Sequence, residues 1–255
     1  MKLFDSHCHL DVAQFDADRE QVLASARNHG VSGILVPAIN AAGWSGLLGL
    51  CNREDDLHSA LGLHPVFEPE HREQDLDELA RLVETEKPVA IGEIGLDFYI
   101  PEPNRERQQQ LFERQLIIAS DAGLPVILHV RKAHDQVLQT LKRLNIEGGI
   151  AHAFSGSLEQ AKRYIDKGFM LGFGGMLTYE RSRKLRYLAA TLPLESLVLE
   201  TDAPDLSPQS HRGERNSPEY LPECLAALAE VRQLSIEEVA DKTTQNALSV
   251  LNLSQ

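Results

Sequence analysis

Leu3-Phe4-Asp5-Ser6-His7-Cys8-His9 opens the chain as a short apolar run that ends in two histidines. If residues 1–6 form a β-strand, successive side chains face opposite ways, so His7 and His9 share one direction and Cys8 takes the other. Two imidazoles on one face at a strand end can grip a single divalent cation. A solvated pair would look the same in isolation, so the reading turns on what the rest of the chain does. Short β-rich or apolar runs recur at 3–6, 33–38, 58–63, 89–94, 126–130, 149–153, 169–174 and 197–201. Apolar residues at helical spacing predict helices over 18–28, 75–85, 105–121, 135–144, 158–167 and 181–191, with two closing helices near 218–232 and 235–251.

Strand followed by helix, repeated eight times, is the pattern of a (β/α)8 TIM barrel, an α/β fold. A doubly wound open sheet seldom holds so many regular units. No glycine-rich linker, low-complexity stretch or charge block divides the chain, so residues 1–255 are expected to form one domain. The longest irregular stretch, 203–218, is rich in Pro, Ser, Arg and Gly and follows the last strand, which in a barrel places it over the mouth.

Composition narrows the function classes. Hydrophobic content of 42% and charged content of 25% are ordinary for a globular protein. No apolar run approaches the roughly 20 residues that span a bilayer, and the first residues do not read as a signal peptide, so no membrane association is expected. Cys8, Cys51 and Cys224 are odd in number and form no CxxC pair, which fits a reducing, cytoplasmic setting. The formal net charge of −13 argues against a broad face wrapping duplex DNA. It leaves room for a nucleic-acid substrate, because bound cations and local arginines can reverse the field inside a pocket.

Barrel strands read as nearly continuous apolar runs, so charged groups at their ends need a reason. Here the first strand runs into His7 and His9, the third into His64, the fourth into Glu93, the fifth into His129, the sixth into His152, and the eighth into Glu200 and Asp202. All stand at C-terminal strand ends, where barrel active sites lie. His7, His9, Glu93, His129, His152 and Asp202 form a set too large for one tetrahedral zinc and suited to two divalent cations sharing a carboxylate. Glu93 is the expected bridge, with His7, His9 and Asp202 completing one site and His129 and His152 the other. Glu200 is read as a partner behind these ligands in preference to a buried ion-pair member. His29, His58 and His71 are read as solvated or structural, and His134 as equally a substrate contact or a solvated side chain.

These segments resemble the TatD family of metal-dependent hydrolases. The matching stretches are Phe4-Asp5-Ser6-His7-Cys8-His9-Leu10, Gly62-Leu63-His64-Pro65, Gly92-Glu93-Ile94-Gly95-Leu96-Asp97-Phe98-Tyr99, Pro125-Val126-Ile127-Leu128-His129-Val130-Arg131, His152-Ala153-Phe154-Ser155-Gly156 and Glu200-Thr201-Asp202-Ala203-Pro204. The likeness continues through Arg212-Gly213 and Asn216-Ser217-Pro218. It implies a TIM barrel, a metal centre at the six positions above, and deoxyribonuclease activity, typically from a 3′ end.

On that footing Asp202 is expected to ligate a metal and accept the proton of the attacking water, while Glu93 fixes the metals' separation. His64, Arg131 and Arg212 are expected to contact substrate phosphate, the arginines as forked donors. Arg181, Arg183, Lys184 and Arg186 are either a strand-attracting cluster or a solvated helix face. Phe98, Tyr99 and Tyr179 are candidate stacking platforms. The mixed ligand set accepts Zn, Mn, Co or Ni, with Mg held more loosely. The expected substrate is DNA with a free 3′ end or a small phosphodiester, and no stable protein partner is implied. Two competing readings remain: a metal-dependent hydrolase of a carboxylic ester, lactone or amide, and a metal-binding scaffold without turnover.

Overall fold

The computed structural model describes residues 1–254. Eight parallel strands pair in sequence order: β1 (Leu3–Asp5), β2 (Val31–Pro37), β3 (Leu57–Leu61), β4 (Ala90–Asp97), β5 (Val126–Arg131), β6 (Gly149–Ala151), β7 (Phe169–Phe173) and β8 (Leu197–Leu199). Backbone hydrogen bonds from Ser6 N to Leu199 O (3.0 Å) and from Asp202 N to His7 O (2.8 Å) bring the last strand back to the first. The fold is a TIM barrel. Helices α1 (Arg19–Asn28), α2 (Trp44–Cys51), α3 (Glu73–Glu86), α4 (Arg105–Ala122), α5 (His134–Arg143), α6 (Leu158–Ile165), α7 (Arg183–Thr191), α8 (Leu221–Arg232) and α9 (Ile236–Val250) cover it.

Two layers of apolar side chains follow from strand alternation. Phe4, Leu35, Ala60, Ala90, Ile127, Ile150 and Val198 each come from a different strand and form one buried cluster, joined by Ala247 and Leu251 at the end of the chain. Neighbouring strand residues such as Ile34, Leu61, Ile91, Leu128 and Leu171 belong to the second, larger cluster beneath the helices. The first cluster fills the barrel and α9 plugs its floor, packing against β1 and β8. Each fully buried Leu, Ile or Phe contributes roughly 1.5–3 kcal/mol by leaving water.

α2 has no counterpart in the sequence reading. Trp44, Leu47, Leu48, Leu50 and Cys51 are all buried, and Gly46 and Gly49 interrupt the segment, so no polar stripe marks it as a surface helix. Its place is fixed by packing and by the Trp44 indole, which donates to Gly62 O at 3.2 Å. β4 also exceeds expectation, running to Asp97 with every residue buried. Its pairing with β5 shifts between Ile91 and Ile94. That irregularity changes the parity: Ala90 fills the barrel below, and Glu93 faces the same interior above.

Candidate metal centre

Strand parity delivers part of the centre directly. Ile127 and Ile150 point into the barrel, so His129 and His152, two residues on, do likewise; Val198 sets Glu200 and Asp202 the same way. His7 and His9 arrive differently. β1 ends at Asp5, and the chain then leaves strand geometry, which sends Cys8 into the outer core while the two imidazoles face inward. Buried Asp5 holds this departure in place, accepting from His7 N (3.3 Å), Thr201 N (2.9 Å) and Thr201 Oγ1 (2.6 Å). It thereby ties the β1 end to the β8 end, a role the sequence reading did not assign. Burial raises its carboxyl to about 7.

Glu93 lies at the focus, almost fully buried. Its Oε2 is 3.1 Å from His7 Nε2 and 3.3 Å from His9 Nε2. Its Oε1 is 2.9 Å from His129 Nδ1, 3.0 Å from His152 Nε2 and 3.3 Å from His64 Nε2. Asp202 Oδ1 stands 3.6 Å from His7 Nε2 and 3.8 Å from His9 Nε2. Each Glu93 oxygen therefore faces its own group of imidazoles, and Asp202 joins the Oε2 side.

The hydrogen bonds around the rings sort the histidines. A backbone carbonyl only accepts, so His9 Nδ1, 3.1 Å from Pro37 O, carries a proton, and loss of the second proton would turn an Nε2 lone pair to the centre. His129 Nε2 donates to Asp97 Oδ2 at 2.9 Å, which turns Nδ1 inward. His64 is the reverse case. Val66 N donates to its Nδ1 at 3.1 Å, so the neutral ring presents an Nε2–H toward Glu93. His64 lies near enough to join a ligand group with Glu93 and His129, yet this pattern makes it a donor. Its carbonyl is held by His71 Nε2 at 2.8 Å.

Burial and the central carboxylate pull the protonation of these groups in opposite directions. Burial lowers His64 to about 4, and burial with the adjacent His152 lowers His7. Burial would also lower His9, but its hydrogen bond to Glu93 and the charges of Glu93 and Asp202 raise it to about 9. His129 and His152 rise against the same burial cost, His129 through Asp97 and Glu93 and His152 through Glu93 and Asp202. Glu93 is held well below the carboxylate range; burial opposes this, but the charges of His64, His152 and His7 prevail. Burial raises Asp202 to about 6, against the pull of His152 and His9.

Several features fit these residues to divalent cations. His7 Nε2 and His9 Nε2 are 3.2 Å apart. Tetrahedral coordination at about 2.0–2.1 Å would set two nitrogens about 3.4 Å apart. Glu93 Oε2, although buried, lacks a well-formed hydrogen bond. Two ligand groups, His7–His9–Asp202 and His7–Glu93–His152, share His7, and Glu93 recurs in a third with His64 and His129.

The surrounding structure fixes these groups. Asp97 accepts from Tyr99 N (2.8 Å) and Ile100 N (3.2 Å) as well as from His129, and Gln108 of α4 brackets its backbone N (2.9 Å) and O (3.1 Å). Two helical turns on, Gln115 brackets the Leu63 backbone beside His64. Sequence periodicity places Gln115 on the apolar face of α4, and its buried polar work was invisible there. Asp97, four residues beyond Glu93, carried a signal in being a carboxylate within an apolar strand. Gly95 has φ +146, and a Cβ there would lie 2.0 Å from His129 O, so only glycine lets β4 and β5 approach beside the centre.

Glu200 sits behind His152, its Oε1 accepting from Ala153 N at 2.6 Å and lying 3.6 Å from His152 Nδ1. Arg131 lines the cavity above, with its guanidinium 3.9 Å from the centre of the exposed Tyr99 ring. Arg212 is exposed outside the cavity lining. Tyr179 is buried and donates to Ser207 O at 3.2 Å, so its ring offers no open stacking face; Phe98 is half-buried beneath Arg105. Pro204, Asp205 and Leu206 of the long loop reach the mouth, anchored by Asn216 Nδ2 to Thr201 O (2.8 Å) and Asp205 O (2.6 Å).

A parallel barrel that gathers imidazoles and carboxylates beyond its C-terminal strand ends defines the class of metal-dependent barrel hydrolases. The sequence model of the TatD related DNase family matches residues 4–252, and the chain belongs to this family. The uncharacterized metal-dependent hydrolase YjjV of Escherichia coli K12 is 41% identical over 255 residues, spanning 99% of this chain and 98% of YjjV. The crystal structure of YjjV, described as a TatD homolog, has a TM-score of 0.94 with this chain and 41% identity, covering 99% of this chain and 98% of the other. A protein of Erwinia tasmaniensis named 3′-5′ ssDNA/RNA exonuclease TatD is 35% identical over 259 residues, covering 98% of this chain and 100% of its own. Among the described residues, no helix is long and apolar enough to cross a membrane.

Proposed function

We propose that this metal-dependent hydrolase is a phosphodiesterase that removes nucleotides from the free 3′ end of single-stranded DNA, using two divalent cations. The observation that carries the reading is the division of Glu93: one oxygen addresses His7 and His9, the other His129 and His152. The Erwinia relative, named as an exonuclease acting on single strands, supports the substrate class.

Bound cations supply an ionised water at neutral pH and offset charge developing on phosphoryl oxygens. Of them, Zn, Mn, Co and Ni suit the imidazole-rich set better than Mg. The chain's own groups do the rest. His7, His9, Glu93 and Asp202 would hold one cation, and Glu93, His129 and His152 the other. Asp202, near the mouth, takes the proton of the attacking water, as a carboxylate of raised affinity for protons can near neutral pH. His64 donates its Nε2–H to a non-bridging phosphate oxygen, with Val66 N fixing that tautomer. Arg131 presents its guanidinium from the cavity wall, its stack on Tyr99 limiting the conformations it must lose on binding.

The test is a hydrolase panel across metals: single-stranded DNA with a free or a blocked 3′ end, RNA, a chromogenic phosphodiester and a lactone, with Glu93→Ala as control. Metal-dependent shortening of free-ended DNA, abolished in the control, is the expected result. Metal-loaded protein that hydrolyses the lactone and leaves every phosphodiester intact would overturn the proposal in favour of carboxylic-ester chemistry.

A further inference from the structure

The cavity above the metal centre has a volume of about 900 Å³, room for far more than one phosphate group. Its walls are unequal. On the side of β7 and α7 it is lined by Arg181, Arg183 and Lys184, all exposed. Among the described residues no carboxylate lies within ion-pair distance of these three, although the chain carries 38 acidic residues against 25 basic ones. Arg186, one turn further along α7, shows the ordinary alternative: it turns from the cavity, pairs with Glu230 at 3.0 Å and donates to Leu177 O at 3.1 Å.

Two of the three cations are held on the rim rather than left loose. Lys184 Nζ donates to Ser155 O at 2.8 Å, and the Arg181 guanidinium lies 5.3 Å from the centre of the Tyr179 ring, itself anchored by its hydroxyl. Their placement also works against the local helix. Arg183 and Lys184 occupy the first turn of α7, which has no acidic residue, whereas α1, α3, α4, α5, α6, α8 and α9 each begin with one or more. Cations at a helix N-terminus oppose its dipole at a cost of about 0.3–1 kcal/mol each. Departures from a local rule without a structural gain point to function.

We propose that Arg181, Arg183 and Lys184 form a backbone rail: with the 3′ end in the metal centre, the strand leaves the cavity across this rim, and its phosphates 5′ of the scissile bond pair with the three cations. The inference rests on the phosphodiesterase reading and makes the substrate an oligonucleotide rather than a one-phosphate diester. It also explains how a chain of net charge −13 meets a polyanion, by confining positive potential to one wall of the entrance.

The experiment compares wild type with Arg181→Ala/Arg183→Ala/Lys184→Ala on a 5′-labelled single-stranded oligonucleotide and on bis(p-nitrophenyl) phosphate over a range of salt. Strand binding is read in parallel by fluorescence anisotropy. The triple variant is expected to lose roughly tenfold or more in oligonucleotide affinity and kcat/KM. Its log–log salt slope should fall by about 2, since each single-strand phosphate contact contributes about 0.7. Turnover of the small diester should not change. Equal losses on both substrates, or an unchanged salt slope, would overturn the rail. Wild type that binds the strand through these residues but cleaves no phosphodiester would sink the function and spare the rail; wild type that neither binds nor cleaves it sinks both. Arg183→Glu alone, expected to shift the salt slope in the same direction, serves if the triple variant does not fold.

Discussion

The two sides of the Glu93 carboxylate are built differently. On the Oε2 side, His7, His9 and Asp202 come from segments past the ends of β1 and β8, held by Asp5 and by hydrogen bonds between those segments. On the Oε1 side, His129 lies within β5 and His152 just past β6, and His129 is backed by Asp97, itself fixed by Tyr99, Ile100 and Gln108. One side is an assembly of strand-end segments that includes Asp202, a more exposed carboxylate than Glu93. The other is mostly imidazole on regular strand, locked by a second carboxylate. Under the proposed function, proton transfer belongs to the first side and fixed geometry to the second.

Removing what the sides share should have the largest effect. Glu93→Gln is expected to lower kcat/KM on the order of 10⁴-fold or more and to cut bound metal, read by elemental analysis, on both sides at once, because residues acting as one unit fail together. Metal retained at the wild-type level would show that the two groups do not depend on the shared carboxylate.

Asp202→Asn separates the sides. Losing the proton acceptor should reduce kcat by about 10²–10⁴-fold, with the Oε1 side still loaded and the thermal midpoint little changed. Near-wild-type turnover by this variant, folded and metal-loaded, would remove Asp202 from the chemistry and favour a binding role for the centre.

Asp97→Asn probes the other side. The amide still fills the space but no longer holds His129 Nε2–H by charge, and loss of such a backing group typically costs 10–100-fold in metal affinity or activity. The expected signature is weaker metal retention during dialysis against a chelator, with the pH dependence of kcat preserved. A shifted pH profile at unchanged metal affinity would reverse the roles assigned to the two sides.

The smallest effect is a pH dependence of loading. In the metal-free chain His9 sits at about 9, so at neutral pH its proton must leave before a cation binds. Affinity on the Oε2 side should therefore rise as pH increases from 6 toward 9, with proton release measurable by calorimetry in buffers of different ionisation enthalpy. His9→Gln should remove that part of the release.

Much of this centre could be read along the chain. His129, His152 and Asp202 lie at or just past the ends of apolar runs, and residue spacing alone predicts that they share the barrel's upper end. Asp5 and Asp97 escaped because a carboxylate inside an apolar run gives no sign of which groups it will meet. α2 escaped because its outer face carries only Ser45, Gly46 and Gly49, which make no charged stripe opposite the buried apolar side chains.

By itself the sequence determined the barrel, through eight apolar runs spaced by helices, and the inventory of imidazoles and carboxylates at its mouth. Both are periodic or compositional features that local order preserves. Only the tertiary structure decided which Glu93 oxygen serves which histidines, that His64 presents a proton rather than a lone pair, and that Arg212 stands outside the cavity. Those depend on the β4 register shift, on single backbone hydrogen bonds such as Val66 N to His64 Nδ1, and on the path of a loop. Each is a contact between residues whose meeting is set by packing and not by spacing along the chain.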